Sequence, residues 1–470
     1  MKKIALILLV TLISIVGLSF VFFPNLFVGN LNLASNSSEN KTALPIPTLL
    51  EDINPEEGMS EFNLVAQVGQ VNFIEDKLTS TLGYNGNFLG PVIRVNRYDE
   101  VTIHVQNELS ESTSVHFHGL EVDGPEDGGP YQMIEANGTW DPTFIVDQAA
   151  ATLWFHPHVM GTTATQVYEG LAGLIIVDDE NSKSLNLPDD YGINDIPLIL
   201  QDRTFDEDGQ FIYIHSMDGA IGNQMLVNGA IDSYLDVNQV KMRFRLLNGS
   251  NARNFNIHLS NNAQFVQIAS DGGFLEEPVN MNSLTLAPGE RAEIIVDFST
   301  YKKGDHISLL NDNFTLVDFN VQDKIVDNTV IPSLLATLEP LDESLAVRTK
   351  KVELDAMGMF VSIDGKQFDP ARIDTEVNQN EYQIWEVSVN SSMMSTPGHP
   401  FHIHSTQFRI LSINGEAPPA NLSGYKDTVY IKNGEVVRLL VQFKHKGLFM
   451  YHCHILEHEE SGMMATLLVN

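Results

Sequence analysis

The chain has 470 residues, of which 43% are hydrophobic and 19% charged. This is a globular composition, and it excludes a disordered chain, a collagen-like chain and a polytopic membrane protein. The 27 lysines and arginines stand against 61 acidic residues, which gives a formal charge of −34 at pH 7. Such an acidic surface repels phosphate backbones, so nucleic acid is excluded as a partner and small cations or neutral molecules are favoured.

The first segment predicts the compartment. Lys2 and Lys3 precede an uncharged apolar run over residues 4–23, which is long enough to cross a bilayer and longer than most signal-peptide cores. The flank has no good cleavage site, so we favour an uncleaved membrane anchor over a cleaved signal peptide within residues 1–29. In both cases the protein is extracytoplasmic, either secreted or anchored to the outer face of the cell membrane. Residues 30–44 are rich in Ser and Asn and predict a flexible tether.

Beyond the tether, short alternating runs between Gly, Pro, Asn and Asp residues predict β-strands, and long helical periodicity is scarce. The clearest predicted strands are residues 92–95, 101–105, 171–177, 242–247, 292–298, 436–443 and 464–469. Many short strands over about three domain lengths predict an all-β chain of serial β-sandwiches or Greek-key barrels. We expect the domains to span residues 45–180, 190–322 and 345–470.

Histidines mark the functional residues. Ten of the fifteen histidines lie in four short segments, which are residues 116–118, 156–158, 399–404 and 452–458. A single His-x-His pair is often only a pair of hydrogen-bonded surface residues. Four such segments in one chain indicate a site for copper, zinc, iron or nickel.

Cys453 narrows the choice of metal. It is the only cysteine, so an intrachain disulfide is excluded, and it stands between two histidines. Because side chains alternate along a strand, its sulfur faces away from both neighbouring imidazoles and can serve a different metal. With His399, His458 and Met463 it makes the ligand set of a blue-copper electron-transfer centre. The alternative is a buried small hydrophobe at Cys453 and a core-filling Met463.

The four histidine segments resemble, in this order, the copper motifs of the multicopper oxidases of the three-domain, laccase-like type. The resemblance is strongest to the bacterial copper-tolerance cuprous oxidases and their laccase relatives. It covers most of residues 45–470 and includes residues 116–123, 127–130, 154–158, 170–174, 247–253, 270–273, 407–410, 426–429 and 454–459. It implies three tandem cupredoxin-like domains, the second of which holds no copper ligand.

The resemblance also implies one type 1 copper, one type 2 copper and a type 3 copper pair. The implied type 1 ligands are His399, Cys453, His458 and, in the axial position, Met463. The implied type 2 ligands are His116 and His402. The implied type 3 ligands are His118, His156, His158, His404, His452 and His454. The isolated histidines are interpreted as structural or surface residues, and they are His104, His215, His258, His306 and His445.

The implied reaction passes electrons one at a time from a substrate to the type 1 copper and reduces O2 to water with four of them. Cys453 would connect the type 1 copper to the type 3 pair through the chain. Asp127 and Glu459 are implied in proton delivery, with a turn-capping aspartate and a solvated glutamate as the alternative interpretation. Asp427 is expected to orient a type 1 histidine.

The substrate is less well defined by the sequence. Cuprous oxidases of this type carry a long methionine- and histidine-rich insertion over the type 1 site, which this chain lacks. The connection from Val347 to His399 has four methionines, which are Met357, Met359, Met393 and Met394. We therefore expect an open type 1 site, with an imidazole edge of His399 or His458 near solvent, and oxidation of phenols and aromatic amines.

Three other functions are alternatives to a laccase-like oxidase. The acidic charge also suits Cu⁺, Fe²⁺ or Mn²⁺ as donors, so a cuprous or other metal-ion oxidase for copper tolerance is the main alternative. A copper-binding protein without oxygen turnover is the second. A non-catalytic relative of the division-associated kind is disfavoured, because none of the twelve ligand positions is lost.

Overall fold

The computed structural model describes residues 41–54, 56–357, 360–391 and 398–470. The predicted signal peptide or anchor (1–29) and residues 30–40 of the predicted tether lie outside the described residues. Within the described residues, no helix has the length and apolar character needed to cross a membrane. Residues 42–470 form one unit, and its described residues form six β-sheets.

The end of the predicted tether belongs to the fold. Strand β1 (Thr42–Ala43) pairs in parallel with Ser233 and Tyr234. Leu44 follows it, is buried, and packs in the core of the middle pair of sheets. Residues 42–44 are therefore not a flexible tether, because backbone pairing and apolar burial fix them.

The first pair of sheets lies between residues 59 and 178. Its strands are β2 (Met59–Ile74), β3 (Lys77–Tyr84), β4 (Val92–Asn96), β5 (Glu100–Asn107), β6 (His116–His118), β7 (Thr139–Trp140), β8 (Thr143–Ile145), β9 (Ala151–His156) and β10 (Gly173–Asp178). The sheet orders are β3-β2-β5-β7, with β8 on β5, and β4-β10-β9-β6. Helices α1 (Thr163–Glu169) and α2 (Glu180–Ser184) flank β10. Alternate side chains of β2, such as Phe62 and Leu64, fill the space between the sheets.

The middle pair of sheets takes most of its strands from residues 195–321. Its further strands are β11 (Asp195–Arg203), β12 (Gln224–Val227), β13 (Ser233–Val237), β14 (Lys241–Asn248), β15 (Phe255–Leu259), β16 (Phe265–Ser270), β17 (Gly273–Met281), β18 (Ser283–Leu286), β19 (Arg291–Asp297), β20 (His306–Asn311) and β21 (Phe314–Val321). The sheet orders are β12-β11-β14-β19-β16-β17 and β1-β13-β21-β20-β15-β18. Its core is separate from that of the first pair.

The third pair of sheets extends from residue 346 to residue 469. Its strands are β22 (Ala346–Met357), β23 (Phe360–Ile363), β24 (Thr375–Val377), β25 (Tyr382–Ser391), β26 (Gly398–Ile403), β27 (Arg409–Ile413), β28 (Thr428–Lys432), β29 (Val436–Gln442), β30 (Gly447–Cys453) and β31 (Met464–Val469). The sheet orders are β23-β22-β25-β29-β27 and β24-β31-β30-β26-β28. Helix α3 (Leu456–Glu460) connects β30 to β31.

The same connectivity occurs three times. Strands β2, β11 and β22 each pair antiparallel with the next strand of the chain, β3, β12 and β23. On the other side they pair in parallel with β5, β14 and β25. The second sheet of each pair also has an equivalent parallel pairing, β4 with β10, β13 with β21 and β24 with β31, and in the middle pair β13 pairs in parallel with β1 as well. This threefold repeat of mixed sheets confirms the predicted fold class, while the domain boundaries stay a prediction.

All seven predicted strands are present, and their ends differ from the prediction by at most two residues. Strand β10 begins two residues later than predicted, because Gly170, at φ 128°, ends α1 and a turn precedes the strand. Strand β19 ends at Asp297, whose carboxylate accepts a hydrogen bond from the Ser299 backbone N–H and caps a 3₁₀ turn.

Candidate metal centre

Strand pairing brings the histidine segments together. Strands β6 and β9 are antiparallel and set His116 opposite His156. Strands β26 and β30 are antiparallel and set His402 opposite His452. Eight histidines of these strands and their extensions are buried and form what we call the eight-histidine cluster, which is His116, His118, His156, His158, His402, His404, His452 and His454.

The alternation of side chains along β6 and β30 separates the core from the cluster. Phe117 packs in the first hydrophobic core, while both neighbouring histidines face the cluster. In the same way, Cys453 packs in the third core and lies on the other side of its strand from His452. This arrangement agrees with the opposite-face argument made from the sequence.

The cluster joins the first and third pairs of sheets. The rings of His118 and His402 stack with centroids 3.7 Å apart, and those of His116 and His404 with centroids 3.8 Å apart. The Nε2 atoms of His158 and His404 each lie 3.1 Å from Nε2 of His452. Three groups of cluster histidines have ligand atoms within 4.8 Å of one another, and they are His116/His402/His404, His116/His118/His156 and His158/His404/His452.

Hydrogen bonds occupy one nitrogen of several cluster rings and leave the other nitrogen without a partner. His116 and His402 donate from Nδ1–H to the backbone carbonyls of Asp127 and Asp427, at 2.9 Å in both cases. Several buried ring nitrogens have no hydrogen-bond partner, and they are Nε2 of His116, His156 and His402, Nδ1 of His118 and His158 and both nitrogens of His454. Buried polar atoms are normally paired, so this donor set fits bound metal.

Burial also favours the form of the imidazoles that binds metal. Desolvation lowers the pKa of seven cluster histidines, and that of His452 falls to about 3. Neighbouring imidazoles lower most of these pKa values further. Neutral imidazole is the metal ligand, so these rings are ready to bind without releasing a proton.

A second donor set, which we call the trigonal site, consists of His399, Cys453 and His458. The Cys453 sulfur lies 3.3 Å from Nδ1 of His399 and 3.7 Å from Nδ1 of His458, and the two nitrogens are 3.3 Å apart. Burial raises the pKa of the Cys453 thiol, so a metal must displace its proton. Met463 is buried and its backbone carbonyl accepts a hydrogen bond from the Cys453 N–H at 3.1 Å. Two imidazoles and one thiolate in this arrangement suit a blue-copper site.

The expectation that His399 or His458 presents an imidazole edge near solvent is wrong. His399 is fully buried and His458 is 3% exposed. His458 donates from Nε2–H to the backbone carbonyl of Met217 at 2.8 Å. Met217 belongs to the segment between β11 and β12 of the middle sheets, which covers this ring. No local pattern around His458 could reveal a cover that comes from 241 residues earlier in the chain.

Asp127 and Glu459 both contact cluster histidines. Asp127 Oδ2 accepts a hydrogen bond from His404 Nδ1–H at 2.8 Å. The oxygens of Glu459 lie 3.4 Å from Nδ1 of His158 and 3.3 Å from Nδ1 of His452. Burial raises the pKa of Glu459 well above its ordinary value, and nearby Glu457 and Glu460 raise it further. The alternative of a solvated glutamate therefore does not hold.

Asp427 has a different partner from the one expected. Its carboxylate accepts a hydrogen bond from Nε2–H of His118, a cluster histidine, at 3.0 Å. Arg291 of the middle sheets binds it through both terminal nitrogens, with Nη1–Oδ1 at 2.7 Å. Burial acts to raise the pKa of Asp427, but Arg291, with hydrogen bonds from Gln407 and Thr428, holds it below its ordinary value. The role at a type 1 histidine is wrong, because the Asp427 carboxylate faces the cluster.

A contact that was not predicted from the sequence is that of Trp154, whose ring stacks on His156 with centroids 4.1 Å apart. Trp154 belongs to the motif at residues 154–158, which could have indicated its place beside the cluster. Arg291 belongs to none of the histidine motifs, so no sequence signal indicated its role. The five isolated histidines are exposed or half-buried, and within the described part of the chain none joins a group of converging ligand atoms. Met359, Met393 and Met394 lie outside the described residues.

Comparison with known proteins identifies the family. Family models described as multicopper oxidase match residues 66–182, 182–324 and 340–470. The chain is 41% identical over 436 residues to the multicopper oxidase mco of Staphylococcus epidermidis, covering 92% of this chain and 94% of that one. It is 36% identical over 467 residues to the cell division protein FtsP of Shigella dysenteriae, covering 95% and 96%. A laccase structure from Pediococcus acidilactici superposes with a TM-score of 0.88 at 40% identity, covering 92% and 94%.

Cupredoxin-like domains around a trigonal site and an eight-histidine cluster define a copper-dependent oxidoreductase. The chain belongs to the multicopper oxidase family. Its copper set is that of the family, with type 1, type 2 and type 3 sites.

Proposed function

We propose that this multicopper oxidase couples the one-electron oxidation of four substrate equivalents to the reduction of one O2 to two waters. When bound, the copper ions take up electrons singly and supply four of them to O2. The observation that best supports the proposal is the position of Cys453. Its sulfur belongs to the trigonal site, while the residues on either side of it belong to the eight-histidine cluster. A few covalent bonds therefore connect the two metal sites.

The proposed ligands follow the family motifs. His399, Cys453 and His458 would hold the type 1 copper, with Met463 as the fourth ligand. His116 and His402 hold the type 2 copper. The type 3 pair is held by His118, His156, His158, His404, His452 and His454. The unpartnered ring nitrogens and the 3.1 Å Nε2 contacts in the cluster support this assignment.

We propose phenols and aromatic amines as the electron donors, and the likeness of this chain to a laccase supports the proposal. Donors dock on the exposed segment 214–218 rather than on an imidazole edge. Met217, whose carbonyl accepts the His458 hydrogen bond, is 41% exposed, and Ile214 is 59% exposed. Contact with this segment brings a donor within one hydrogen bond of the His458 ring. Weak binding and broad specificity are expected from such a surface.

Charge at the same segment gives a test of donor docking. Asp218 is exposed beside Met217, and the whole chain is acidic, so cationic and neutral donors are preferred over anionic ones. Asp218→Asn is expected to raise KM for a cationic aromatic amine two- to five-fold at low salt, with kcat unchanged. The matched control is Glu277→Gln, an exposed carboxylate on β17. An equal effect of both variants contradicts docking at segment 214–218.

Metal ions are the second candidate donors. Met217 and Asp218 are exposed. A thioether is a ligand type that binds Cu⁺, and a carboxylate is one that binds Fe²⁺ or Mn²⁺. Phenol oxidation by enzyme freed of excess copper, with and without added Cu²⁺, separates the candidates. A rate that does not depend on added copper supports the laccase-like function. A rate near zero that rises sharply with added copper supports a cuprous oxidase for copper tolerance.

We propose that Asp127 and Glu459 supply protons to the cluster, since four protons are needed for each O2. Both carboxyl groups are buried against cluster histidines, Asp127 at His404 and Glu459 between His158 and His452. One oxygen of each has no hydrogen-bond partner, Oδ1 of Asp127 and Oε2 of Glu459. Each can therefore exchange a proton with solvent or reactant molecules in the cluster.

We also propose that the protein works outside the cytoplasm, anchored to the membrane by residues 4–23 or released by cleavage of this segment. The charge and length of that segment in the sequence support the proposal. Fractionation of cells that express the full chain, with sequencing of the mature N-terminus, tests it. Recovery of the active, full-length chain from the cytosol contradicts it.

A further inference from the structure

The middle pair of sheets reaches the eight-histidine cluster although it supplies none of the proposed ligands. Arg291 at the start of β19 is fully buried, and its guanidinium binds both oxygens of Asp427 from the third pair of sheets. It also donates to the backbone carbonyls of Thr152, Asp271 and Gly289, at 3.1, 3.1 and 2.9 Å. One arginine thus connects all three pairs of sheets beside the cluster.

The Arg291–Asp427 pair fixes a cluster ring. Asp427 Oδ1 accepts the Nε2–H of His118 at 3.0 Å, so the remaining lone pair of His118 is on Nδ1, a buried nitrogen with no partner. Gly119 leaves room for this arrangement, because a Cβ there would lie 2.7 Å from Arg291 Nη2 and 2.8 Å from Asp427 Oδ2. The guanidinium holds the carboxylate in one orientation, and the carboxylate holds the imidazole.

A second contact from the middle sheets acts on another cluster ring. The turn before β19 contains Gly289, whose φ of +84° is in the left-handed region. A Cβ at this position would lie 2.9 Å from Cδ2 and 3.0 Å from Cγ of His454. Both nitrogens of His454 lack hydrogen-bond partners, so packing against Gly289 is what limits the tilt of this ring from the middle side.

We propose that the middle domain positions the ligands of the type 2 and type 3 coppers through Arg291 and Gly289. Arg291 sets the tautomer and orientation of His118 through Asp427, and Gly289 sets the tilt of His454. This inference rests on the proposed ligand assignment. Outer residues of this kind, which orient metal ligands, typically change metal affinity 10- to 100-fold when they are replaced.

The test compares two variants with two matched controls. Arg291→Lys keeps the charge but cannot bind both carboxylate oxygens as a planar fork does, and Gly289→Ala pushes on the His454 ring. The controls are Arg245→Lys, which loses an equally buried pairing with Asp195 and Glu293, and Gly229→Ala. Gly229 has a φ of +78°, and a Cβ there would lie 2.9 Å from the Phe88 ring, away from the cluster.

The measurements are total copper per chain and blue absorbance per chain during titration with a copper chelator, and the melting temperature of the copper-free protein. We expect Arg291→Lys and Gly289→Ala to keep the blue absorbance of the parent, but to lose the other copper at a 10- to 100-fold lower chelator concentration. The controls should lose copper as the parent does, even where their melting temperatures fall. If one of the two variants fails to fold, the other carries the same comparison.

Three results overturn the inference. One is parental chelator resistance in both variants, the second is equal copper loss in the controls, and the third is loss of blue absorbance in step with the other copper. The copper content of the parent protein shows whether this inference or the proposed function has failed. A parent that is blue but binds no further copper contradicts the ligand assignment itself, whereas a fully loaded parent with unaffected variants contradicts only the role of the middle domain.

Discussion

Replacing Cys453 with serine is expected to remove the type 1 copper and leave the other copper in place. Within the described residues, the contacts of its sulfur are with His399 Nδ1, His458 Nδ1 and the Ile455 N–H, at 3.3, 3.7 and 3.4 Å, and none is with the eight-histidine cluster. Bound copper should therefore fall from four to three ions per chain. Blue absorbance and oxidase activity should fall to background, because thiolate is the ligand that defines a blue-copper site.

The fold should survive this substitution. A serine hydroxyl is buried in the same place but has two imidazoles and one backbone N–H around it, so its hydrogen-bonding capacity is met. The expected cost is about 1 kcal/mol of the free energy of unfolding, which corresponds to a fall in melting temperature of about 2–4 °C. Copper analysis, visible absorbance, oxygen uptake and calorimetry of the copper-free protein check each value. A variant that stays blue, or one that loses all copper while folded, refutes the site assignment.

Three further predictions concern single residues. Met463→Leu should keep blue copper but raise its reduction potential, because the axial thioether is lost, whereas Met464→Leu, equally buried one residue later, should leave the potential unchanged in a redox titration. Asp127→Asn should slow reoxidation by O2 about 10- to 100-fold without changing reduction by substrate, and unchanged reoxidation in stopped flow returns Asp127 to a turn role. Burial acts to raise the pKa of Glu293, but its two arginine partners lower it to about 2, from an ordinary 4.5. The contribution of Glu293 to stability is therefore present above pH 4.5 and is lost as the pH falls toward 2. Glu293→Gln should therefore cost about 3–5 kcal/mol at pH 7, and its melting temperature should approach that of the parent near pH 2; a gap that persists there contradicts the ion-pair explanation.

The sequence was sufficient for features that depend on local pattern. Alternation and turn residues predicted the seven strands, because half-buried strands impose a period of two. The order of His452, Cys453 and His454 predicted two sites on opposite faces of one strand. The four histidine segments predicted a metal site built from residues far apart in the chain, because imidazole clusters are typical of transition-metal sites.

Contacts between distant segments could not be predicted in this way. The sequence did not show that Asp427 faces the eight-histidine cluster rather than a type 1 histidine. The direction it faces depends on the register of β26 and β28, which is a tertiary property. His458 is covered by the Met217 carbonyl, which is a backbone group, so the side-chain sequence gives no sign of this contact. Residues 42–44 looked like tether because a two-residue strand on the edge of a distant sheet is too short to leave a pattern.

In the proposed function, electrons from a phenol reach O2 through this protein and produce water. The most direct measurement is simultaneous recording of oxygen uptake, phenol oxidation and hydrogen peroxide with the copper-loaded protein. We expect one O2 to be consumed for every four phenol molecules oxidised by one electron, with no peroxide released. Copper-loaded, blue protein that consumes no oxygen in the presence of phenols or of Cu⁺, Fe²⁺ or Mn²⁺ contradicts the claim and supports a copper-binding protein without turnover.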